Sequence, residues 1–335
     1  MMYASFTDLH AAVGVLRERG DAAAALLLVK EHLAAFSRHA ALMYLTEAEL
    51  LAESGRPNDG LDALDRALAQ GCRYRRDWLE TNPRLASIVL LAGFSEFAVR
   101  SQQRWDEAAA ESKPELTLLM PRDAAPVSGH PLLVVLHGNN SAMTDTVPFW
   151  SSAADYGWVT AIPQSGEPGA TPGSFTWNDR DKTNREITMH LQAIKREIHV
   201  DGAAIVLAGF SMGALQAIAL VITGRIPALG VVPIAAWLPH IREFTALADA
   251  GAASIRPTYV VVGSKDPSTP ARNNSWRWCP STVEDPISTS APVSVTNIRT
   301  TCRRRSSARS RSSENDPMSR VDKVSGSWQR EPGGA

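Results

Sequence analysis

Residues 205–219 read IVLAGFSMGALQAIA, an apolar run followed by Gly-x-Ser-x-Gly and then by a helix-like segment. The run favours a buried β-strand and the segment after it an α-helix, so the motif lies at a strand–turn–helix junction. At such a junction the serine occupies a strained turn, and the flanking glycines are small enough for neighbouring backbone to pass. The pattern therefore predicts Ser211 as a nucleophile at the end of a sheet, held there by Gly209 and Gly213. A turn without chemistry is the alternative.

Two further motifs also follow apolar runs. Residues 131–136 lead into His137 and Gly138, and residues 258–262 lead into Gly-Ser-Lys-Asp, which ends at Asp266. We expect His137 to brace its loop by hydrogen bonds rather than to act as a general base. Asp266 has the chemistry to orient an imidazole and to stabilise its charged form. An ordinary surface-turn aspartate is the alternative.

Together the three motifs resemble the α/β-hydrolase superfamily, most closely its phospholipase/carboxylesterase branch with dienelactone-hydrolase-like relatives. The similarity spans residues 115–270 and implies a doubly wound, mostly parallel sheet. It also implies acyl-ester cleavage through an acyl-enzyme on Ser211, with the N–H groups of Asn139 and Met212 as the oxyanion hole. In this pattern Asp266 orients a catalytic histidine, and neither a cofactor nor a metal is implied.

One part of the family pattern is missing from this chain. The resemblance places the catalytic histidine in a loop beyond the acid, whereas the last histidine of the sequence, His240, precedes Asp266. Without a base the Ser211 hydroxyl is a weak nucleophile, and loss of the histidine from a comparable triad costs roughly a million-fold in turnover. The sequence therefore predicts a hydrolase of impaired activity.

Two explanations of the missing histidine stay open. His240 follows the predicted strand 229–235 at the carboxyl edge of the sheet, where catalytic loops gather, and is the candidate substitute base. His190 and His199 are expected on a solvated helix surface instead. The other explanation is that the chain departs from the family after Pro270. A frameshift, a sequencing error or a degenerate gene copy is our hypothesis for that departure. Arginine outnumbers lysine 28 to 6, which indicates a GC-rich gene, and an out-of-frame reading of such a gene yields a stretch rich in Ser, Arg, Thr, Pro and Trp like this one.

The order of the predicted elements indicates the domain organisation. Residues 1–110 read as helices, with Gly20, Gly55 and Gly71 at the left-handed positions that end them. The helical pair at 40–71 resembles a tetratricopeptide-type repeat in its length and its Gly-x-Pro turn. An amphipathic helical cap and a partner-binding surface are the two interpretations of this region.

From residue 111 to 270 apolar strands alternate with helices, which predicts an α/β domain with a doubly wound sheet. Strands are predicted at 115–120, 132–136, 158–162, 204–208, 229–235 and 258–262, and a helix at 184–198. Trp177 and the two residues after it are similar to the segment that precedes this helix in the family. A buried tryptophan without a special role is the alternative.

The tail, residues 271–335, differs in kind. It has no Leu, Phe, Tyr or His but 13 Ser, with 11 basic and 6 acidic residues. This composition cannot bury much apolar surface, so we expect a segment of low order. The basic run at 303–311 permits an electrostatic arm for nucleic acid, but no aromatic residue is interleaved with it, and we disfavour that interpretation.

Composition excludes several classes of protein. The 335 residues carry 34 basic and 35 acidic side chains, which supply no global field for wrapping nucleic acid. Cys72, Cys279 and Cys302 lack C-x-x-C spacing, so neither a zinc cage nor a disulfide framework is indicated.

The start lacks a signal-peptide pattern and no window is apolar enough to span a membrane, so we expect a cytoplasmic protein. A small-molecule ester is the expected partner. A hydrolase-like scaffold that binds a protein through the N-terminal helices is the alternative.

Overall fold

Helices make up the first third of the chain. The computed structural model describes Tyr3 and residues 5–238, 241–250, 253–254 and 256–263. Its first seven helices are α1 (Phe6–Glu18), α2 (Ala22–His32), α3 (Ala40–Glu53), α4 (Pro57–Ala69), α5 (Arg76–Thr81), α6 (Ala86–Val89) and α7 (Phe94–Glu111), with 3-10 turns at Ser37–His39 and Pro83–Leu85. The predicted glycine caps are confirmed, because Gly20, Gly55 and Gly71 all have positive φ directly after a helix.

Helices α3 and α4 form the predicted hairpin around a shared apolar seam. Leu45 and Ala48 of α3 are buried against Leu64 and Leu68 of α4. Gly60 lies at a close approach of the two helices, since a Cβ there would be 3.0 Å from the Ala48 carbonyl oxygen. The likeness to a tetratricopeptide-type repeat stays a prediction.

A mixed, mostly parallel sheet follows the helices. Its five strands are β1 (Glu115–Leu119), β2 (His130–Leu136), β3 (Val159–Gln164), β6 (Val200–Phe210) and β7 (Gly230–Ile234), in the order β1-β3-β2-β6-β7. Strand β1 is antiparallel to β3 and the other pairs are parallel. A separate two-stranded pair is formed by β4 (Glu167–Pro168) and β5 (Phe175–Thr176). The remaining helices are α8 (Met143–Trp150), α9 (Arg180–Glu197), α10 (Met212–Ile222) and α11 (Ile241–Asp249), with a 3-10 helix at Ser151–Tyr156.

Five of the six predicted strands are confirmed, with ends that differ by a few residues. The sixth, at 258–262, runs parallel to β7 through bridges at Thr258 and Val261. The Tyr259 and Val261 N–H groups donate to β7 carbonyls, and the Val261 carbonyl accepts from the Ala235 N–H. Helix α9 begins four residues earlier than predicted, because the Asp179 side chain accepts a hydrogen bond from the Lys182 N–H and caps the helix there.

Helices cover both faces of the sheet. Along β2, Leu132, Val134 and Leu136 pack in the cluster that includes α9 and α10, whereas Leu133 and Val135 pack in the cluster that includes α8. This alternation follows from the period of two in side-chain direction along a strand. Strand β2 is therefore buried on both sides, as its continuous apolar sequence requires.

The chain reverses its direction of travel across the sheet between β2 and β6. From β2 it passes through α8 to β3 on one side, and from β6 it passes through α10 to β7 on the other. In open α/β sheets, ligands bind outside the carboxyl ends of strands at such a switch point. The loops after β2 and β6 thus lie at the place where a site is expected.

Several sequence predictions lie outside the described residues. These are Asp266, His240 and the whole tail, residues 271–335. No helix in the described part of the chain is long and apolar enough to cross a membrane.

Candidate active site

Ser211 lies alone in the turn between β6 and α10. Its backbone has φ 53° and ψ −114°, a conformation that side-chain-bearing residues rarely adopt. The Ser211 N–H donates to the Ile234 carbonyl of β7 at 3.0 Å, and its carbonyl accepts from the Leu215 N–H at 3.1 Å. The turn is therefore fixed by the neighbouring strand on one side and by the first turn of α10 on the other.

Both glycines of the motif are required by backbone contacts. A Cβ on Gly209 would lie 2.5 Å from the carbonyl carbon and oxygen of Gly213. A Cβ on Gly213 would lie 2.3 Å from the His137 carbonyl oxygen and 2.6 Å from that of Leu136. The serine turn therefore packs directly on the end of β2, beside the loop that begins at His137.

Two backbone donors of this region have no partner among the described residues. Met212 is the first residue of α10, where N–H groups are left free by the helix geometry. Neither its N–H nor that of Asn139 donates a hydrogen bond to any of the described residues. The helix N-terminus also favours negative charge in front of it. Both N–H groups are thus available to an oxyanion.

Both polar atoms of the Asn139 side chain are hydrogen-bonded to a neighbouring loop. Its Oδ1 accepts from the Trp177 N–H at 2.8 Å, and its Nδ2 donates to Asn178 Oδ1 at 2.8 Å. From the other side Gln216 Nε2 of α10 donates to the Trp177 carbonyl at 2.6 Å. Trp177 is fully buried at this junction. Because the Asn139 side chain is used in this way, the residue has its backbone N–H left to offer a substrate.

His137 braces the loop and is sequestered from solvent. Its side chain is 0% exposed, its Nδ1 lies 2.7 Å from the Gly138 carbonyl, and its Nε2 accepts from the Ser165 N–H at 3.2 Å. These partners place the proton on Nδ1. Burial lowers the pKa of the His137 imidazole to about 4, although the bond to Gly138 opposes this shift. A neutral ring with both nitrogens occupied cannot take the Ser211 proton.

The other candidate bases are placed unfavourably or not described. His199 directly precedes β6, whereas Ser211 follows its far end. The paired stretch between Val200 and Gly209 matches six residue steps of β2, so the two ends lie roughly 20 Å apart. His130 begins β2 at that same distant edge. The expectation of a solvated surface is wrong for His190, which is buried on α9 because it faces the sheet side of the helix. Asp266 and His240 lie outside the described residues, and their roles stay predictions.

Backbone strain gathers at this edge of the sheet. Among the described residues, the non-glycine residues with positive φ are Asn140 (54°), Ser211 (53°) and Ala235 (45°). They follow β2, β6 and β7, whose carboxyl ends are adjacent. Such conformations cost of order 1–3 kcal/mol each and cluster at functional sites. The strain makes this edge of the sheet the candidate site.

Sequence reasoning missed two contributors to this arrangement. Gln216 is the one polar side chain in the apolar helix α10, and that isolation was the available signal. The segment that carries β4 and β5 gave no signal, since its proline and glycine residues read as a plain loop. Within the described residues, no group of three or more His, Cys, Asp or Glu side chains is placed to hold a metal ion.

Comparison with known proteins gives structural matches alone. No protein-family model matches this chain, and no curated protein matches it. An uncharacterized protein from Bacillus cereus ATCC 10987 is 20% identical with a TM-score of 0.38, over 78% of this chain and 82% of that one. Esterase PE8 is 19% identical (TM-score 0.37, 45% and 75% covered), and S-formylglutathione hydrolase from Staphylococcus aureus is 14% identical (TM-score 0.37, 45% and 74% covered). At these identities and TM-scores the matches assign no function to this chain.

Proposed function

We propose that this chain is a serine hydrolase of the carboxylesterase type, with Ser211 as its nucleophile and small acyl esters as its substrates. The observation that carries the proposal is the positive φ of Ser211 in a turn that packs closely on β2, with Gly213 against the His137 carbonyl. A protein gains no stability from a non-glycine residue in this conformation, so its presence favours a role in chemistry.

The chemistry assigns a step to each group. The Ser211 oxygen attacks the ester carbonyl carbon as its proton passes to a base, and the carbonyl oxygen becomes an oxyanion. The N–H groups of Asn139 and Met212 donate to that oxyanion and stabilise it. Collapse expels the alcohol and leaves an acyl group on Ser211, and water then releases the carboxylic acid. Asp266 would orient the base in this scheme.

The sequence as given has no histidine after Asp266, so we propose that turnover in this chain is strongly impaired. Binding and the oxyanion hole alone leave roughly 10³ to 10⁴-fold over water in a comparable enzyme. The next reading frame after the Pro270 codon tests the origin of this defect. A Gly-His segment encoded there supports a frameshift, and an intact frame without one refutes it.

The half-exposed rings beside the serine suit an apolar ester. Phe210 and Trp237 are each 54% exposed, and the Trp237 N–H reaches the Ser211 carbonyl at 3.4 Å. The ring of Phe210 lies over Gly138, where a Cβ would be 2.9 Å from it. A butyryl ester with an aromatic leaving group is therefore the appropriate test substrate.

A thiol at position 211 tests the site without the missing base. A cysteine thiol ionises near pH 8.5 unaided, so the variant Ser211→Cys needs no histidine to attack p-nitrophenyl butyrate. We expect one p-nitrophenolate released per chain and the mass of one butyryl group on the peptide that contains position 211. With a working oxyanion hole, acylation should be at least about 100-fold faster than that of free N-acetylcysteine at the same pH.

The wild-type chain is the matched control, because it carries the same three native cysteines. We expect the steady-state rate of p-nitrophenyl butyrate hydrolysis by the wild-type chain to equal that of Ser211→Ala. A Ser211→Cys protein that is folded but reacts no faster than free thiol would refute the oxyanion hole and favour the non-catalytic scaffold.

A further inference from the structure

The segment 165–178, which carries β4 and β5, lies between the candidate site and the N-terminal helices. On both sides it is held by hydrogen bonds that span long distances in sequence. It therefore connects a region of no assigned role, residues 5–111, to the loop that offers an oxyanion donor.

On the side of the site, this segment holds three consecutive residues of the loop after β2. The Asn139 contact to Trp177 is the first of them. The Asn140 side chain accepts from the Ala170 N–H at 3.3 Å, and the Ser141 carbonyl accepts from the Phe175 N–H at 2.9 Å. Asn140 has a positive φ, a conformation that persists when surrounding contacts enforce it.

On the other side, the helical region holds the tip of the same segment. Arg73 donates twice, from its N–H to the Ala170 carbonyl at 2.9 Å and from Nε to the Gly169 carbonyl at 2.9 Å. The Ala41 N–H, at the start of α3, donates to Thr171 Oγ1 at 3.2 Å. Ala170 and Thr171 are both buried, so these bonds are shielded from competing water.

One residue joins the two sets of contacts. The Ala170 carbonyl accepts from the Arg73 backbone N–H, beside the side-chain bond of Arg73 to Gly169, and the Ala170 N–H donates to the Asn140 side chain. A displacement of the helical region at Arg73 would therefore move the donor that supports Asn140. The Asn139 N–H belongs to the adjacent peptide and would move with it.

We propose that the N-terminal helical region is part of the active site, and that Arg73 is a positioning residue that holds the oxyanion loop through residues 169–171. The proposal rests on the oxyanion role of Asn139 given above. It also gives the helical region a function that requires no protein partner.

The test removes the Arg73 side-chain donor to the Gly169 carbonyl and keeps both the apolar stem and the backbone N–H bond to Ala170. In the Ser211→Cys background, Arg73→Met should lower the maximal acylation rate with p-nitrophenyl butyrate about tenfold, with the half-saturating ester concentration unchanged. Arg73→Lys keeps a charged donor near the Gly169 carbonyl and should restore most of the rate. Arg100→Met is the matched control, since Arg100 pairs with Asp65 on the same helical region and does not bond to the segment.

Amide hydrogen exchange separates this proposal from the proposed function, because it needs no reaction at Ser211. In Arg73→Met we expect exchange about tenfold faster in peptides that cover 137–142, and unchanged exchange there in Arg100→Met. Thr171→Val, which removes the acceptor for Ala41, should act in the same direction and serves if Arg73→Met does not fold.

Unchanged exchange at 137–142 in a folded Arg73→Met or Thr171→Val protein overturns the proposal. An acylation rate equal to that of the parent overturns it too. If Ser211→Cys itself reacts no faster than free thiol, the oxyanion hole fails, and faster exchange at 137–142 still establishes the mechanical link to Arg73.

Discussion

Gly213→Ala probes the contact on which the site geometry depends. The added Cβ would lie 2.3 Å from the His137 carbonyl oxygen, 2.6 Å from the Leu136 oxygen and 2.9 Å from the Leu136 carbonyl carbon. An ordinary carbon–oxygen contact begins near 3.4 Å, so α10 and the end of β2 must separate by about 1 Å. The atoms that clash are backbone atoms at the end of β2, the central strand of the sheet, so no side-chain rotamer could relieve the contact.

Two opposing effects determine how much Gly213→Ala changes the free energy of unfolding. Alanine is the better helix former, which favours Gly213→Ala by about 1 kcal/mol. Overpacking typically costs about 1–3 kcal/mol, and the immovable backbone places this case at the top of that range or above it. The clash therefore prevails. We expect a net loss of about 2–3 kcal/mol, or roughly 4–12 °C in Tm for a domain of this size.

Thermal unfolding followed by circular dichroism measures this loss. Gly14→Ala is the matched control, because Gly14 lies within α1 and a Cβ there meets nothing within 4 Å. It should raise Tm by a few degrees through helix propensity alone. If Gly213→Ala melts as high as the wild-type protein, the close packing of the serine turn on β2 is refuted, and the oxyanion geometry with it.

Three further predictions follow from strain, burial and close approach. Ser211→Gly should be about 1 kcal/mol more stable than Ser211→Ala in urea unfolding, since glycine relieves the strained φ; equal stability would argue against strain. The His137 ring, whose pKa is lowered to about 4 by burial, should not titrate in NMR spectra between pH 8 and 5.5. Because the unfolded ring binds its proton near pH 6.5, this group should cost stability as pH falls from 6.5 to 4, by up to about 3 kcal/mol. Gly169→Ala should raise amide exchange across 165–178, because its Cβ would lie 2.9 Å from the Ser174 carbonyl carbon; unchanged exchange would count against that packing.

The serine turn could be predicted because its requirements are local. Five consecutive residues determine the bend, and the apolar runs on either side identify the strand and the helix. The strand β2 was equally visible, since burial on both faces leaves a continuous run of apolar residues at 132–136. In each case the information lies within about a dozen residues.

The structure of segment 165–178 could not be predicted, because hydrogen bonds to residues far away in the sequence determine it. Its strands β4 and β5 have two residues each, and prolines and glycines separate them. It is held by partners such as Arg73 and Asn140. These two residues lie 97 and 30 residues from Ala170 in the chain. No pattern within the segment encodes those contacts. Helix α8 was missed for a related reason, since it is short and contains Pro148.

In the proposed function, a base for Ser211 is expected at the carboxyl edge of the sheet. Parallel strands present their carboxyl ends together, so loops after β2, β6 and β7 meet there, whereas His199 precedes β6 at the opposite edge. The loop after β7 already touches the serine, through the Trp237 N–H on the Ser211 carbonyl. His137 is at this edge but is buried and neutral, with both ring nitrogens bonded. The sequence-predicted partners His240 and Asp266 both come after β7 in the chain, lie outside the described residues and stay predictions.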